Sequence, residues 1–288
     1  MTRGPAAHPG DERPNPLPAE TSAFHAFERE GWESIPRAYQ DAFGALTTQA
    51  IGPLLDATCV GPGVHVLDVA TGPGYVAAAA ARRGARVVGV DFSAAMLAEA
   101  RRHHPTIAFE AGDAAALPFP DSSFDAVVMS FGLLHLGHPD QALAEAHRVL
   151  RAGGRIGFTV WARPEESVGF GIVLGAIQRH GRLDVPLPPG PPFFRFSDPE
   201  ECRRALRAVG FEAPEVATVP QVWRLASLDT LFEIMRDGTV RTAGLLRAQS
   251  AEAQAAIRVA IREAVHPWER GGGVELPMPA ILASAAKP

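Results

Sequence analysis

The chain has 288 residues, a net charge of −5, and 47% hydrophobic against 20% charged residues. That balance suits a globular protein with a sizeable core and gives no basic field to hold a nucleic-acid backbone. Among 27 basic residues Lys287 is the only lysine, which excludes a phosphate-binding P-loop, a Schiff-base lysine and a Tyr-x-x-x-Lys reductase pair, since Tyr39 and Tyr75 are followed four positions on by Phe43 and Ala79. Cys59 and Cys202 form neither a disulfide framework nor a zinc motif, and no apolar run reaches 18 residues, so a cytoplasmic protein without a membrane span is expected.

Residues 1–20 carry five prolines and little apolar content, and read as a disordered tail. From 21 to 57 the pattern is helical. Trp32, Ile35, Tyr39, Phe43 and Leu46 make one apolar stripe, with Ser34 as the expected N-cap and Pro36 in the first turn. Strands then alternate with helices. The predicted strands are 64–70, 86–90, 107–111, 124–130 and 155–161, with 151–154 as a turn before the last. Between them lie an alanine-rich helix to about Arg83, one capped by Ser93, and one over 139–150. That rhythm predicts an α/β fold with a parallel sheet covered on both faces. Beyond Trp161 the sequence predicts helices over 169–180 and 198–209, a proline-rich loop at 186–192, a strand at 216–225, helical structure over 227–265 and a final strand at 274–284.

Four strand ends carry polar groups. In Asp68-Val-Ala-Thr-Gly72-Pro-Gly74 the glycines allow a tight strand-to-helix turn and close approach of a ligand to bare backbone. Asp68, just before that turn, suits a positive amine and repels a pyrophosphate. Asp91, at the tip of the second strand, is placed to accept two ribose hydroxyls. Phe92 and Met96 follow it, either against an adenine face or in the core. Asp113, beside Ala114 at the end of the third strand, can bond an adenine amino group. Ser130 ends the fourth strand, and His135 follows it in a loop. Ligands of open α/β sheets bind along this carboxyl edge.

The stretches VLDVATGPG, VVGVDFSAAMLAEAR, GDAAALPFPDSSFDAVV and EAHRVLRAGGRIGFTVW resemble class I S-adenosylmethionine-dependent methyltransferases. They are most similar to the small-molecule branch that includes ubiquinone and menaquinone methyltransferases. The resemblance covers about residues 60–161. It implies a Rossmann-like, doubly wound, seven-stranded, mostly parallel sheet whose last two strands flank an antiparallel edge. It further implies S-adenosylmethionine as cofactor and S-adenosylhomocysteine as product. Asp68, Gly72 and Gly74 would surround the methionine moiety, Asp91 would hold the ribose, and Asp113 and Ala114 would meet the adenine. Tyr39 is the candidate for an N-terminal aromatic that closes over the cofactor.

The expected layout is a helical lid at 21–57, a cofactor-binding core at 58–161, and a remainder at 162–288 with substrate-covering insertions at 162–195 and 227–265. Phe24, Phe27, Trp32, Phe193, Phe194, Phe196 and Trp223 lie in or near these covers, so a small apolar or aromatic acceptor is expected. With no internal lysine, His135 leads as the base. His135, His138 and Asp140 have a spacing common by chance, and no metal site is predicted. Two alternatives stay open: a protein that binds the cofactor without transferring methyl, and a nicotinamide-dependent oxidoreductase, which explains Gly72, Gly74 and Asp91 but not Asp68 or Asp113. The acceptor atom and the oligomeric state are not readable.

Overall fold

The computed structural model describes residues 19–288, with side-chain surroundings from residue 23 onward. All but the last two residues of the predicted tail 1–20 lie outside it. The elements run α1 (Ala19–Ser34), α2 (Pro36–Thr47), α3 (Ile51–Ala57), β1 (His65–Val69), α4 (Tyr75–Arg82), β2 (Arg86–Asp91), α5 (Ala94–His103), β3 (Ala108–Ala111), β4 (Phe124–Ser130), α6 (Pro139–Val149), β5 (Leu150–Trp161), α7 (Val168–His180), α8 (Pro199–Ala208), β6 (Glu212–Val219), β7 (Val222–Leu225), α9 (Thr230–Asp237), α10 (Arg241–Arg247), α11 (Ala251–Val265), β8 (Glu269–Arg270), β9 (Gly273–Pro277) and β10 (Ala280–Ala286).

Val66, Leu67 and Val69 on β1 and Ala126, Val127 and Val128 on β4 are all buried, as strands covered on both faces require. The sheet order is β3-β2-β1-β4-β5-β10-β6. The first five strands pair in parallel, and β10 runs antiparallel between β5 and β6. The expected seven-stranded, mostly parallel doubly wound sheet is therefore present. Its order reverses between β1 and β4, which opens a crevice at their carboxyl ends.

Four expectations need correction. Ser34 does not cap α2; Ile35 occupies that position without a side-chain bond, and the Ser34 hydroxyl donates to Gly31 O at 2.7 Å. The predicted turn 151–154 is absorbed into β5 as an irregularity in its register with β4, held by Gly153 N–H on Lys287 O at 2.9 Å. The strand expected at 216–225 is two strands, β6 in the large sheet and β7 in a second sheet of order β7-β9-β8. The strand expected at 274–284 divides likewise into β9 and β10. Pro220, Pro277 and Pro279 stand at or beside these breaks, and proline cannot donate to a ladder.

The small sheet is stitched to the N-terminal helices. Trp223 donates to Ala42 O at 3.0 Å, Gln49 exchanges bonds with the Val222 backbone at 2.9 and 3.0 Å, and Gln221 donates to Leu46 O at 2.7 Å. Trp223, held by these bonds, and Phe196, packed on Phe158, are core residues rather than cover. The lone lysine is structural: Lys287 Nζ donates to His147 O and Leu150 O at 2.8 Å each, at the carboxyl end of α6, where a cation suits the helix dipole. No helix among the described residues is long and apolar enough to cross a membrane.

Candidate functional site

The crevice at the carboxyl ends of β1 and β4 deepens into a cavity of about 1070 Å³, its open mouth included. Its floor carries strained backbone. Ala70 (φ 54°) and Phe131 (φ 53°), just beyond β1 and β4, are left-handed without being glycine, a conformation that concentrates at functional sites.

Asp68 is 1% exposed. Its Oδ2 accepts from Thr71 Oγ1 at 2.6 Å and Ala77 N at 3.0 Å, while Oδ1 is buried with no protein partner. Burial pushes its pKa up to about 7, the two hydrogen bonds opposing and the nearby Asp91 charge adding. Asp91 accepts from Gly72 N at 2.8 Å and Ser93 N at 2.9 Å, and burial raises it to about 6. Ser93 caps α5 as expected, accepting from Met96 N at 3.2 Å. A site with an unserved buried carboxylate oxygen, a second carboxylate and bare backbone fits a ligand whose ammonium and vicinal hydroxyls donate to it. It does not fit a pyrophosphate.

Asp68, Gly72, Asp91, Phe92, Met96, Ser130, His135 and Tyr39 all line this cavity. Gly74, Asp113 and Ala114 do not. Gly74 (φ 84°) begins α4 beneath the turn, where a Cβ would stand 2.9 Å from the Phe109 ring. Asp113 sits at the rim, accepting from Ala115 N at 2.9 Å and lying 3.9 Å from His25 Nδ1. The His25 ring in turn meets Phe92 edge-on at 5.5 Å. Tyr39 stacks on Phe43 and meets Trp32 edge-on. Burial pushes its phenol up to about 12, which keeps it neutral. The Ser130 hydroxyl lies 3.3 Å from Thr159 Oγ1.

Helix α1 roofs the cavity. Glu33 accepts from Ala94 N and Ala95 N at 2.6 and 3.0 Å, tying α1 to the start of α5. Five residues back, Glu28 is fully buried and contacts Trp32, His135 and Arg241. Sequence reasoning missed Glu28 and Arg241, because no motif joins residues so far apart in the chain. Phe131, Trp161, Phe170 and Phe193 complete an aromatic wall. Phe24, Phe27, Phe193 and Phe194 line a second, adjoining cavity. Asp140 is occupied by Arg195 at 2.7 and 2.8 Å, and no group of three metal-ligating side chains is found among the described residues.

The raised carboxyls predict a pH dependence. Well below about pH 4 both are protonated in the folded and the unfolded chain and cost nothing. Between about pH 4 and the raised folded values of about 6 and 7 the unfolded chain is ionised while the folded chain keeps its protons, so the free protein loses stability across that window and the loss levels off above it. A ligand cation beside Asp68 offsets that loss. The rise in melting temperature produced by such a ligand should therefore grow between pH 5 and pH 7, and scanning fluorimetry at stepped pH measures it.

Fold and strand-edge carboxylates place the chain among Rossmann-like α/β proteins. Its sequence and fold are, more narrowly, similar to those of class I S-adenosylmethionine-dependent methyltransferases. Residues 66–154 match the family model for a methyltransferase domain. The demethylmenaquinone methyltransferase of Renibacterium salmoninarum is 47% identical over 38% of this chain and 47% of its own length. That of Beutenbergia cavernae is 47% identical over 38% and 46%. The chain thus spans about half the length of the curated relatives it matches. Phosphoethanolamine N-methyltransferase 2 of Haemonchus contortus, solved with phosphomonomethylethanolamine and S-adenosylhomocysteine, shares the fold at a TM-score of 0.57, with 21% identity over 92% of this chain and 60% of that one.

Proposed function

We propose that this protein transfers a methyl group from S-adenosylmethionine to a small apolar or aromatic metabolite and releases S-adenosylhomocysteine. The observation that carries the reading is Asp68 Oδ1, a buried carboxylate oxygen without a partner at the strand-order reversal of a class I methyltransferase fold. Asp68 would take the ammonium of the methionine moiety, the Gly72 backbone its close approach, and Asp91 the ribose hydroxyls. Phe92 and Met96 would pack on the adenine, with Asp113 and Ala114 at its edge. Gly74 would act through the turn it shapes. Tyr39 and Trp32 would close over the ligand, and Ser130 and His135 would face the acceptor. When bound, the sulfonium supplies an electrophilic methyl carbon. The chain's part is to orient the acceptor in line and to exclude water, which the aromatic wall suits.

The proposed layout keeps 58–161 as the cofactor-binding core, with 21–57, 162–195 and 227–265 as cover. The proposed partner is a cytoplasmic small molecule and no nucleic acid, in keeping with the acidic net charge. The buried, unserved Asp68 weighs against the nicotinamide alternative, whose pyrophosphate would meet a carboxylate there. Incubation with methyl-labelled S-adenosylmethionine and a panel of phenols, quinols and aromatic amines tests the proposal. Label should move to an organic-extractable product. Label that stays on the cofactor despite tight binding would favour a non-transferring protein, and label moved onto protein or nucleic acid would overturn the substrate class.

A further inference from the structure

We propose that Glu28 and His135 form a proton-accepting dyad, so that the methyl acceptor is an aromatic hydroxyl that loses its proton to His135. This rests on the methyl-transfer reading of the same cavity.

A fully buried carboxylate is costly unless its partners are well placed, and Glu28 is 0% exposed. Its Oε2 lies 3.1 Å from Trp32 Nε1 and 3.1 Å from His135 Nδ1. Its Oε1 makes no hydrogen bond to the protein and lies 3.6 Å from Arg241 Nε, so the guanidinium offsets its charge through space without bonding it. An ionised carboxylate only accepts and an indole N–H only donates. The hydrogen on His135 therefore sits on Nδ1, and Nε2 keeps a free lone pair. His135 lines the cavity with its side chain 17% exposed. Trp32 and Phe193 hold the ring edge-on at 4.8 and 5.7 Å. A locked ring, a fixed tautomer and a carboxylate behind it are the parts of an oriented general base.

Helix α1 supplies that carboxylate, and its fixings explain the placement. Glu33 anchors it on α5. Gly31 lets it approach the α9–α10 turn so closely that a Cβ there would meet Val240 Cγ1 at 2.5 Å. Arg241, the residue after Val240, is itself held by Pro191 O at 2.8 Å and by the Phe24 ring at 4.6 Å.

The step balances. The acceptor O–H bond breaks and its proton goes to His135 Nε2. The oxygen lone pair forms the new O–CH₃ bond. The electron pair of the broken S–CH₃ bond stays on sulfur, which becomes a neutral thioether. The single positive charge thus passes from sulfur to the imidazolium, beside Glu28, before the proton leaves to water. In this scheme His135 is the catalytic residue and Glu28 a positioning residue.

Two readouts test it. In protein labelled with ¹⁵N-histidine, long-range ¹H–¹⁵N correlation should show His135, assigned by the signal missing in His135→Gln, as the Nδ1–H tautomer. Glu28→Leu should convert it largely to Nε2–H. The Nε2–H tautomer in the unmodified protein would overturn the dyad. For turnover, 2-naphthol is compared with a nitro-substituted naphthol already ionised at the assay pH. Glu28→Gln and His135→Gln should each lower kcat on 2-naphthol by roughly 100-fold with little change in KM, and the double variant should be no worse than His135→Gln. On the pre-ionised naphthol the loss should shrink to a few-fold. Equal losses on both acceptors would mean a merely structural role. Cofactor binding with neither naphthol methylated by the unmodified protein would overturn the hydroxyl-acceptor assignment. Absence of cofactor binding would instead defeat the underlying reading and leave the tautomer result standing by itself.

Discussion

Asp68→Asn is expected to weaken S-adenosylmethionine binding by roughly 100- to 4,000-fold without unfolding the protein. The asparagine carbonyl can still accept from Thr71 and Ala77, which now bond Oδ2 at 2.6 and 3.0 Å. The change is at Oδ1, which has no protein partner. An amide N–H₂ there presents donors to an ammonium instead of a negative charge. Leaving a buried charge without its counter-charge costs about 3–5 kcal/mol, and about 1.4 kcal/mol is one decade in affinity. The free protein does not share that loss, because burial already disfavours the Asp68 charge in the absence of a cation. The variant should also lose most of the growth of ligand stabilisation between pH 5 and 7. Calorimetric titration measures the affinity, and a change of less than threefold would remove Asp68 from the ammonium role.

Gly74→Ala should lower folding stability by roughly 2–5 kcal/mol, from a left-handed penalty of about 1–2 kcal/mol and overpacking of about 1–3 kcal/mol. Its φ is 84°, and a Cβ would meet Phe109 Cζ at 2.9 Å and His104 Cδ2 at 3.0 Å. Gly72→Ala should behave differently. Its φ is 53°, but a Cβ there meets nothing within 4 Å and stands at the cavity wall. It should cost only the left-handed penalty of about 1–2 kcal/mol of stability while lowering ligand affinity. Urea midpoints at unchanged slope read the first effect, and titration reads the second. Equal stability losses for the two variants would contradict this division of labour.

The division was not visible in the motif, where both glycines read as ligand-approach positions. What the sequence does carry is local. The apolar runs of β1, β2 and β4, the Ser93 cap and the carboxylates at strand tips follow from residues within a few positions of each other. That is why the sheet and the placement of Asp68 and Asp91 could be anticipated. Long-range features were hidden. Glu28 meets His135 across 107 residues, and periodicity marks Glu28 only as a polar residue on a helix. The splitting of 216–225 and 274–284 depends on two sheets competing for one chain, although Pro220, Pro277 and Pro279 signalled breaks. Asp113 has the right strand-end address, yet β3 is an edge strand and leaves it on the rim. Lys287, read only as an exclusion, instead pins the chain's end to α6.

On the proposed function, the cavity above β1 and β4 takes a nucleoside carrying an ammonium and not one carrying a pyrophosphate. Calorimetric titration of the purified protein with S-adenosylmethionine, S-adenosylhomocysteine and NADH tests it most directly. Both sulfur nucleosides should bind stoichiometrically and NADH should not; NADH binding without binding of either sulfur nucleoside would contradict the proposed function.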